Sequence, residues 1–547
     1  MKKIVSIALI ASVAALSIFA SRDDFGLSRN VEIMVNLMRE ISENYVDQVD
    51  PDLLLEYASE GISRRLDPYT EYLPEEEMNS FEVLTTGKYG GIGSLIRQDS
   101  SYVKIAQPYQ GSPADKAGLI IGDRIVAIDG QSAKEMTTEQ VSSRLKGTPN
   151  SDVELTVRRL ISGEDEQITI RRERISIPGI PYYGFVGDAA DSIGYIQHAD
   201  FTAGVAADMR AAVSELQSQG AKALIIDYRN NGGGILQEAV EVVSLFAPRG
   251  TEVVTLKGRR DSVVYLTTTK PIAADLPLAV LINENSASAA EIVAGSLQDL
   301  DRAVLVGNKS FGKGLVQSPR PVGYNSFVKM TTAKYFIPSG RCIQELDYSD
   351  HSSKGKVVKV ADSLRHTFYT AGGRKVYDGG GIEPDESVET EYISRFAATL
   401  YGLGHIDNYG DIYFKENHDQ RIDVESFSIT EADYDNFKAY IATKDIPYQS
   451  ATRGVLKALK TAAQEDLYSD VAQQIEELEA GLKDDTESNL DKYRQEIIET
   501  INSNIILRYA YQAGVIRHSL LDDKDLDRAI EILTDAEQYN SILQPQN

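Results

Sequence analysis

One cysteine, Cys342, stands in the whole sequence, and tryptophan is absent. A lone cysteine excludes an internal disulfide framework and a four-cysteine zinc site. Histidine is sparse too: His198, His351, His366, His405, His418 and His518 are scattered along the chain. None forms a His-Glu-x-x-His helix or another tight ligand cluster, so no metal and no cofactor is expected. Basic residues are outnumbered, 56 Lys and Arg against 82 Asp and Glu, for a formal net charge of −26. Such a chain lacks the basic face that neutralises phosphates, which argues against a nucleic-acid partner. It also argues against docking on an anionic lipid surface. What is present is ordinary globular material, 42% hydrophobic and 25% charged over 547 residues. That is enough to bury a core and to make about three or four domains.

The chain opens Met1-Lys2-Lys3, followed by an apolar run from Ile4 to Ala20. Two positive charges before an apolar stretch describe an export signal. Cleavage after Ala20 would put Ile18 at the −3 position, where a smaller residue is usual. Residues 1–20 are therefore expected to be a signal peptide or a retained anchor tethering the chain to a membrane. Either way the bulk of the chain is expected outside the cytoplasm, in the periplasm or cell envelope.

Residues 27–86 read as a small helical unit. Val31, Met34, Val35, Met38 and Ile41 recur at helical spacing. Pro51-Asp52 marks a second helix start with Asp50 as cap, and Asp67-Pro68-Tyr69-Thr70 breaks the pattern. From 87 to 173 the character changes to short β-type runs, Tyr102–Ile105, Arg124–Ile128 and Val153–Arg158, with one helical stretch, Thr138–Lys146. From 174 to 388 strands alternate with helices. Ala223–Asp227, Leu278–Ile282 and Ala303–Val306 are apolar runs, each followed by a polar or glycine-rich turn. That order means an α/β sheet with parallel strands, whose ligands lie beyond the carboxyl ends of the strands. Residues 389–547 are mostly helical and polar, with a long amphipathic stretch over Leu490–Gln512. They carry no catalytic motif, and a helical scaffold or homo-oligomer contact is the expected role.

Three segments carry candidate chemistry. Asn283-Glu284-Asn285-Ser286-Ala287-Ser288-Ala289-Ala290-Glu291 joins an apolar strand to a helix. A serine on such a turn is exposed, and the helix start offers N–H groups and a positive dipole to an oxyanion. Taken alone, the segment is explained more simply by a serine helix cap. Gly307-Asn308-Lys309-Ser310-Phe311-Gly312-Lys313-Gly314 matches the front of a phosphate-binding loop. Gly314 stands where that loop needs Ser or Thr, and a strand rather than a helix is expected after it, which rejects the nucleotide reading. Lys313, between two glycines, can instead be packed closely. Buried beside a serine, a lysine is driven toward the neutral form that serves as general base. Gln317, four residues on, would share a strand face with Lys313 and could hold its amine. Asp227-Tyr228-Arg229-Asn230-Asn231-Gly232-Gly233-Gly234 leaves a strand with three glycines. Its N–H groups fit half of an oxyanion hole, with Ala289 N–H as the other half.

Two resemblances follow. The order Gly-Ser-Pro-Ala at 111–114, Ala-Gly-Leu at 117–119, Gly-Asp-Arg-Ile at 122–125 and Ile-Asp-Gly at 128–130 resembles PDZ modules of exported proteases. The resemblance implies capture of an extended peptide, with its terminal carboxylate in the turn at Gly91, Ile92 and Gly93. The chain from about 31 to 388 resembles the carboxyl-terminal processing, or tail-specific, proteases. The motifs are Leu-Asp-Pro-Tyr-Thr at 66–70, Gly-Lys-Tyr-Gly-Gly-Ile-Gly at 87–93, Ile-Asp-Tyr-Arg-Asn-Asn-Gly-Gly-Gly at 226–234 and Ser-Ala-Ser-Ala-Ala-Glu at 286–291. Phe-Gly-Lys-Gly-Leu-Val-Gln at 311–317, Lys-Tyr-Phe-Ile-Pro-Ser-Gly-Arg-Cys-Ile-Gln at 334–344 and Gly-Gly-Ile-Glu-Pro-Asp at 380–385 complete the set. The resemblance implies a mixed-sheet α/β protease core, Ser288 as nucleophile, Lys313 as base and Gln317 as its partner. Protein or peptide tails would be the substrates. A PDZ adaptor with a dead protease domain is the alternative, and intact Ser288, Lys313 and Gln317 argue against it.

Overall fold

The computed structural model describes residues 25–75, 87–348, 358–359, 363, 365–389, 392–466, 469–482 and 485–545. The expected signal or anchor segment lies outside the described residues. Among the described residues no helix is long and apolar enough to cross a membrane. The chain divides into two compact units. One holds residues 1–78, 315–333 and 347–358; the other holds residues 79–314, 334–346 and 359–547.

The smaller unit begins with helices over 25–44 and Pro51–Ser63. Pro51 has no N–H to leave unpaired at a helix start. Asp50 caps that start, its carboxylate accepting from Asp52 N–H at 3.0 Å. Asp67 then turns the chain by accepting from the N–H groups of Tyr69 and Thr70, each at 2.8 Å. The strand Glu71–Leu73 follows and pairs antiparallel with residues 327–329 of the strand Ser326–Phe336.

In the larger unit, the PDZ module is a sheet ordered Ser94–Asp99, Tyr102–Pro108, Arg124–Ile128, Asp152–Arg158 and Asp165–Arg171. Along Asp152–Arg158 the pattern alternates, so Val153, Leu155 and Val157 point inward. They meet Ile92, Val103, Ile105, Ile125, Val141 and Leu145 in one core. The helix Thr138–Leu145 starts on a reciprocal cap between Thr137 and Gln140. Ser94–Asp99 is the edge strand of this sheet.

The protease core is a six-stranded mixed sheet. Tyr182–Val186 runs antiparallel to Ile193–Gln197. Parallel strands Ala223–Asp227, Leu278–Ile282, Val304–Gly307 and Glu386–Ser387 continue from there. Ala223–Asp227 and Leu278–Ile282 are buried along their whole lengths, which is why they read as unbroken apolar runs. The loops 228–235, 283–288 and 308–314 all leave carboxyl ends of adjacent strands in this sheet.

The C-terminal segment is more than an appendage. Helices Arg395–Gly402, His405–Asn417, Glu431–Ile441 and Arg494–Ser519 share a core that includes Phe396, Tyr409, Tyr434, Phe437, Ile501 and Ile505. The helical stretch expected to end at Gln512 breaks at Tyr511, and a further helical segment continues to Ser519. Tyr511 has φ 55° and ψ −167°, and its hydroxyl donates to Asp115 of the PDZ module at 2.6 Å. Lys104, on the outer face of the PDZ sheet, is 1% exposed. Its ammonium lies 2.6 Å from Asp407 and 2.7 Å from Asp411, and Arg508 reaches the same two carboxylates at 2.9 and 2.6 Å. The last helices, Lys524–Thr534 and Ala536–Ile542, cover one face of the protease sheet. There Leu526, Ala529, Ile532 and Tyr539 pack on Ile193, Tyr195, Ile225, Leu281, Val304 and Val306.

Candidate active site

The turn after Leu278–Ile282 is stitched to the turn after Ala223–Asp227. Ser286 hydroxyl donates to Tyr228 C=O at 2.8 Å, and Ala287 N–H donates to Asn231 C=O at 2.9 Å. Asn283 and Asn230 exchange side-chain and backbone bonds at 2.9 and 3.1 Å. Ser286 is wholly buried by these bonds, so its hydroxyl is structural. Ser288 is partly exposed and stands immediately before the helix Ala289–Asp299, with φ 56° and ψ −114°. A non-glycine residue in that conformation is strained by about 1–3 kcal/mol, and such strain collects where a reactive side chain must be presented.

Ala289 begins the helix, so its N–H belongs to the first turn, where helix N–H groups lack intrahelical partners. The glycine loop comes close to this point. A Cβ added to Gly233 (φ +100°) would sit 2.7 Å from Ser288 Cβ and 2.9 Å from Ala289 N. Only glycine fits there. Gly233 N–H donates to Asn231 Oδ1 at 2.8 Å, whereas Gly232 is exposed and has no neighbouring atom within 4 Å of where its Cβ would be. Of the two glycines expected in the oxyanion hole, Gly232 is thus the one left open. Asn231 is buried, and its Nδ2 donates to His198 C=O at 2.6 Å, fixing the loop to the neighbouring strand end.

Lys313 is partly exposed in the loop after Val304–Gly307. The following strand starts at Leu315, so Lys313 precedes it and the shared strand face expected with Gln317 does not apply. The close packing expected around Lys313 is present: a Cβ on Gly314 would lie 2.8 Å from Gln344 N. Gln317 lies on Leu315–Gly323 in the smaller unit, where its Nε2 donates to Thr331 Oγ1 at 3.2 Å.

Two residues that carried no expected role join the serine turn to the lysine loop. Tyr335 hydroxyl lies against both carbonyls, Ser288 O at 3.3 Å and Lys313 O closer still. Glu291, in the first turn of a helix buried along its whole length, is fully buried. Its carboxylate accepts from Ser288 N–H at 2.8 Å, Lys313 N–H at 2.9 Å, Gly312 N–H at 2.7 Å and Ser310 hydroxyl at 2.5 Å. Burial outweighs these donors and pushes the Glu291 carboxyl up to about 7. A Ser-x-x-Glu spacing at a helix start was the available sequence signal for it.

At the PDZ turn, Gly91 and Ile92 are buried, and Gly93 adopts φ +77°. The Gly93 carbonyl accepts from Tyr109 N–H at 2.9 Å and Ser112 hydroxyl at 2.8 Å, and Ile92 C=O accepts from Ala114 N–H at 2.8 Å. The turn is therefore rigidly held at the start of the edge strand Ser94–Asp99.

Comparison with known proteins agrees with this layout. Residues 192–351 match the family model "Peptidase family S41", residues 104–159 match "PDZ domain", and residues 396–533 match "Probable PDZ-protease, C-terminal helical domain". A "Carboxy-terminal-processing protease" of Bartonella bacilliformis is 34% identical over 315 residues, covering 56% of this chain and 71% of that protein. A "Probable CtpA-like serine protease" of Staphylococcus aureus (strain COL) is 32% identical over 333 residues, 60% of this chain and 66% of that protein. This chain thus spans just under two thirds of the length of the staphylococcal relative. Among solved structures, a photosystem II D1 C-terminal processing protease is 26% identical, covering 66% of this chain and 93% of that chain with a TM-score of 0.36. The chain belongs to the carboxy-terminal-processing proteases of peptidase family S41.

Proposed function

We propose that this chain is a serine endopeptidase that cleaves exported proteins presented by their C-terminal tails. The observation that carries the reading is the meeting of three loops around Ser288. The glycine loop touches its Cβ side, the helix start lies beneath it, and Glu291 ties it to the Lys313 backbone. In this reading Ser288 Oγ attacks the scissile carbonyl carbon while Lys313 Nζ takes the hydroxyl proton. The tetrahedral oxyanion is held by the N–H groups of Ala289 and the Gly232–Gly233 loop. Lys313 returns the proton to the leaving amine, and water then hydrolyses the acyl-enzyme. The substrate tail adds as a strand along Ser94–Asp99, with its carboxylate at Gly91, Ile92 and Gly93. Residues 1–20 direct the chain to the periplasm or envelope and can tether it there, and the helical segments offer a surface for a homo-oligomer.

The test is a fluorophosphonate probe together with a protein bearing an apolar C-terminal tail. The parent enzyme is expected to label at Ser288 and to cleave the tailed protein. Ser288→Ala loses both, and Lys313→Ala loses cleavage. Retained cleavage by either variant refutes the dyad.

A further inference from the structure

The proposed nucleophile and base lie on different loops, so something must fix the spacing between those loops. A single oxygen is placed to do so. Glu291 Oε2 accepts from the backbone N–H of Ser288 at 2.8 Å and from the backbone N–H of Lys313 at 2.9 Å. The other oxygen, Oε1, accepts from Gly312 N–H at 2.7 Å and from Ser310 hydroxyl at 2.5 Å. An ionised carboxylate has about four acceptor positions. Four donors occupy them, and no part of the side chain reaches solvent. Glu291 therefore has no acceptor position left for a substrate or an attacking water, which excludes a direct acid–base role in this arrangement.

We propose that Glu291 is a positioning residue whose carboxylate sets the separation of the nucleophile turn and the lysine loop, so that the reactive pair is aligned through its backbone.

This inference rests on the serine–lysine reading above. Three features of the structure agree with it. Ser288 holds a left-handed backbone, φ 56°, which an unattached turn would abandon. The bond from Glu291 pins the N–H of that strained residue. On the other side, Ser310 passes the connection onward, since its hydroxyl also accepts from Ile382 N–H at 2.6 Å. The lysine loop is thus held from two directions while its base-bearing residue is suspended between them. Every donor to Glu291 except the Ser310 hydroxyl is a backbone group, so among side chains the arrangement depends chiefly on the Glu291 carboxylate and secondarily on Ser310.

The chemistry of substitution follows from the same four bonds. Glu291→Ala removes all of them. Glu291→Gln keeps one acceptor oxygen, which can still serve Ser288 and Lys313 if its NH2 turns toward Ser310 and Gly312. The Gly312 N–H then faces another donor. Glu291→Asp is one methylene too short to reach both loops. Misplacement of reacting groups by about 1 Å costs on the order of 10²-fold in rate, so turnover should rank parent, Gln, then Asp and Ala.

The experiment uses the full chain, with active-site titration by a fluorophosphonate, steady-state cleavage of an apolar-tailed peptide, and thermal unfolding. Glu291→Ala is expected to lower kcat by about 10²-fold or more with KM changed less than about threefold, and Glu291→Gln to recover about tenfold of that loss. Ser310→Ala, which removes one donor only, is expected to cost less than about tenfold in kcat and serves if Glu291→Ala does not fold. Equal kcat per folded molecule in the parent and in Glu291→Gln and Ser310→Ala overturns the inference. So does a loss that rises and falls only with the folded fraction. A parent enzyme that neither labels at Ser288 nor cleaves would instead overturn the serine–lysine reading itself.

Discussion

Lys104 and Glu291 are both charged and both buried, yet the chain satisfies them by opposite means. Lys104 of the PDZ module meets Asp407 and Asp411 of the C-terminal helices, which Arg508 of the same helices also pairs, while Arg97 of the PDZ module lies 3.9 Å from Asp407. Glu291 is held by three backbone N–H groups and one hydroxyl, all neutral. The consequence shows in how readily each gives up its charge. Burial pushes the Asp407 carboxyl up, but Arg508 and Lys104 more than reverse this and hold it below the usual carboxylate range. Burial of Glu291 meets only neutral donors and leaves its carboxyl near 7. Charge pairing keeps the Asp407 carboxyl ionised across the neutral range. Neutral donors make a geometric template whose own charge is costly.

Removing the chemistry while leaving both arrangements intact should give the largest effect. Lys313→Ala is expected to lower kcat by about 10³-fold or more with an unchanged unfolding temperature, because its backbone N–H still reaches Glu291. Cleavage within about tenfold of the parent would separate the template from any lysine base. Breaking the seam should act on stability instead. Lys104→Met removes the buried cation shared by Asp407 and Asp411, leaving Arg508 and, 3.9 Å from Asp407, Arg97, and is expected to destabilise the chain by about 3–5 kcal/mol, read from denaturant midpoints. A change below about 1 kcal/mol would mean that the seam's charges are solvated in solution.

Acid sharpens the contrast. The folded Glu291 pKa, about 7, lies above the ordinary glutamate value of 4.5, so the folded state holds the proton between them. Its burial cost is thus absent below about pH 4.5 and grows to about 3 kcal/mol as pH rises through 7. Asp407 is depressed, so its contribution is present above the ordinary aspartate value of 3.8 and is lost as pH falls below it. Between pH 7 and 4.5, Glu291→Gln should lose stability relative to the parent, while Asp407→Asn should keep a constant offset. Parallel curves for Glu291→Gln would show that the carboxyl titrates normally. The smallest effect is expected at Gln317, where Gln317→Ala should lower kcat by about tenfold or less, because its side chain carries no transferable proton.

Much of the site could be read from the chain, and the reasons differ by residue. Ala223–Asp227 and Leu278–Ile282 were legible to the residue because strands covered on both faces are continuous apolar runs closed by turn residues. The turn holding Ser288 was legible from its place between such a strand and a helix, but taken alone it reads as a helix cap, and the family resemblance is what singles out Ser288. Glu291 was not legible, because three of its four partners are backbone N–H groups, of Ser288, Gly312 and Lys313, which leave no side-chain pattern. The Lys104 seam was not legible either. Its partners stand more than 300 residues away, and a buried lysine on an alternating strand looks like a solvent-facing one until the covering helices are known. What the helical segment over 389–547 covers was not legible, since the amphipathic stripe of Leu526, Ala529 and Ile532 shows that something is covered but not that it is a face of the protease sheet.

That roof has a consequence for the order in which the molecule comes into being. A ribosome has already made the tail-binding module, the hydroxyl and the amine when the oily underside of the central sheet is still waiting for residues 524–542. The sheet from which the three loops leave is therefore covered on that face only once synthesis has passed residues 524–542.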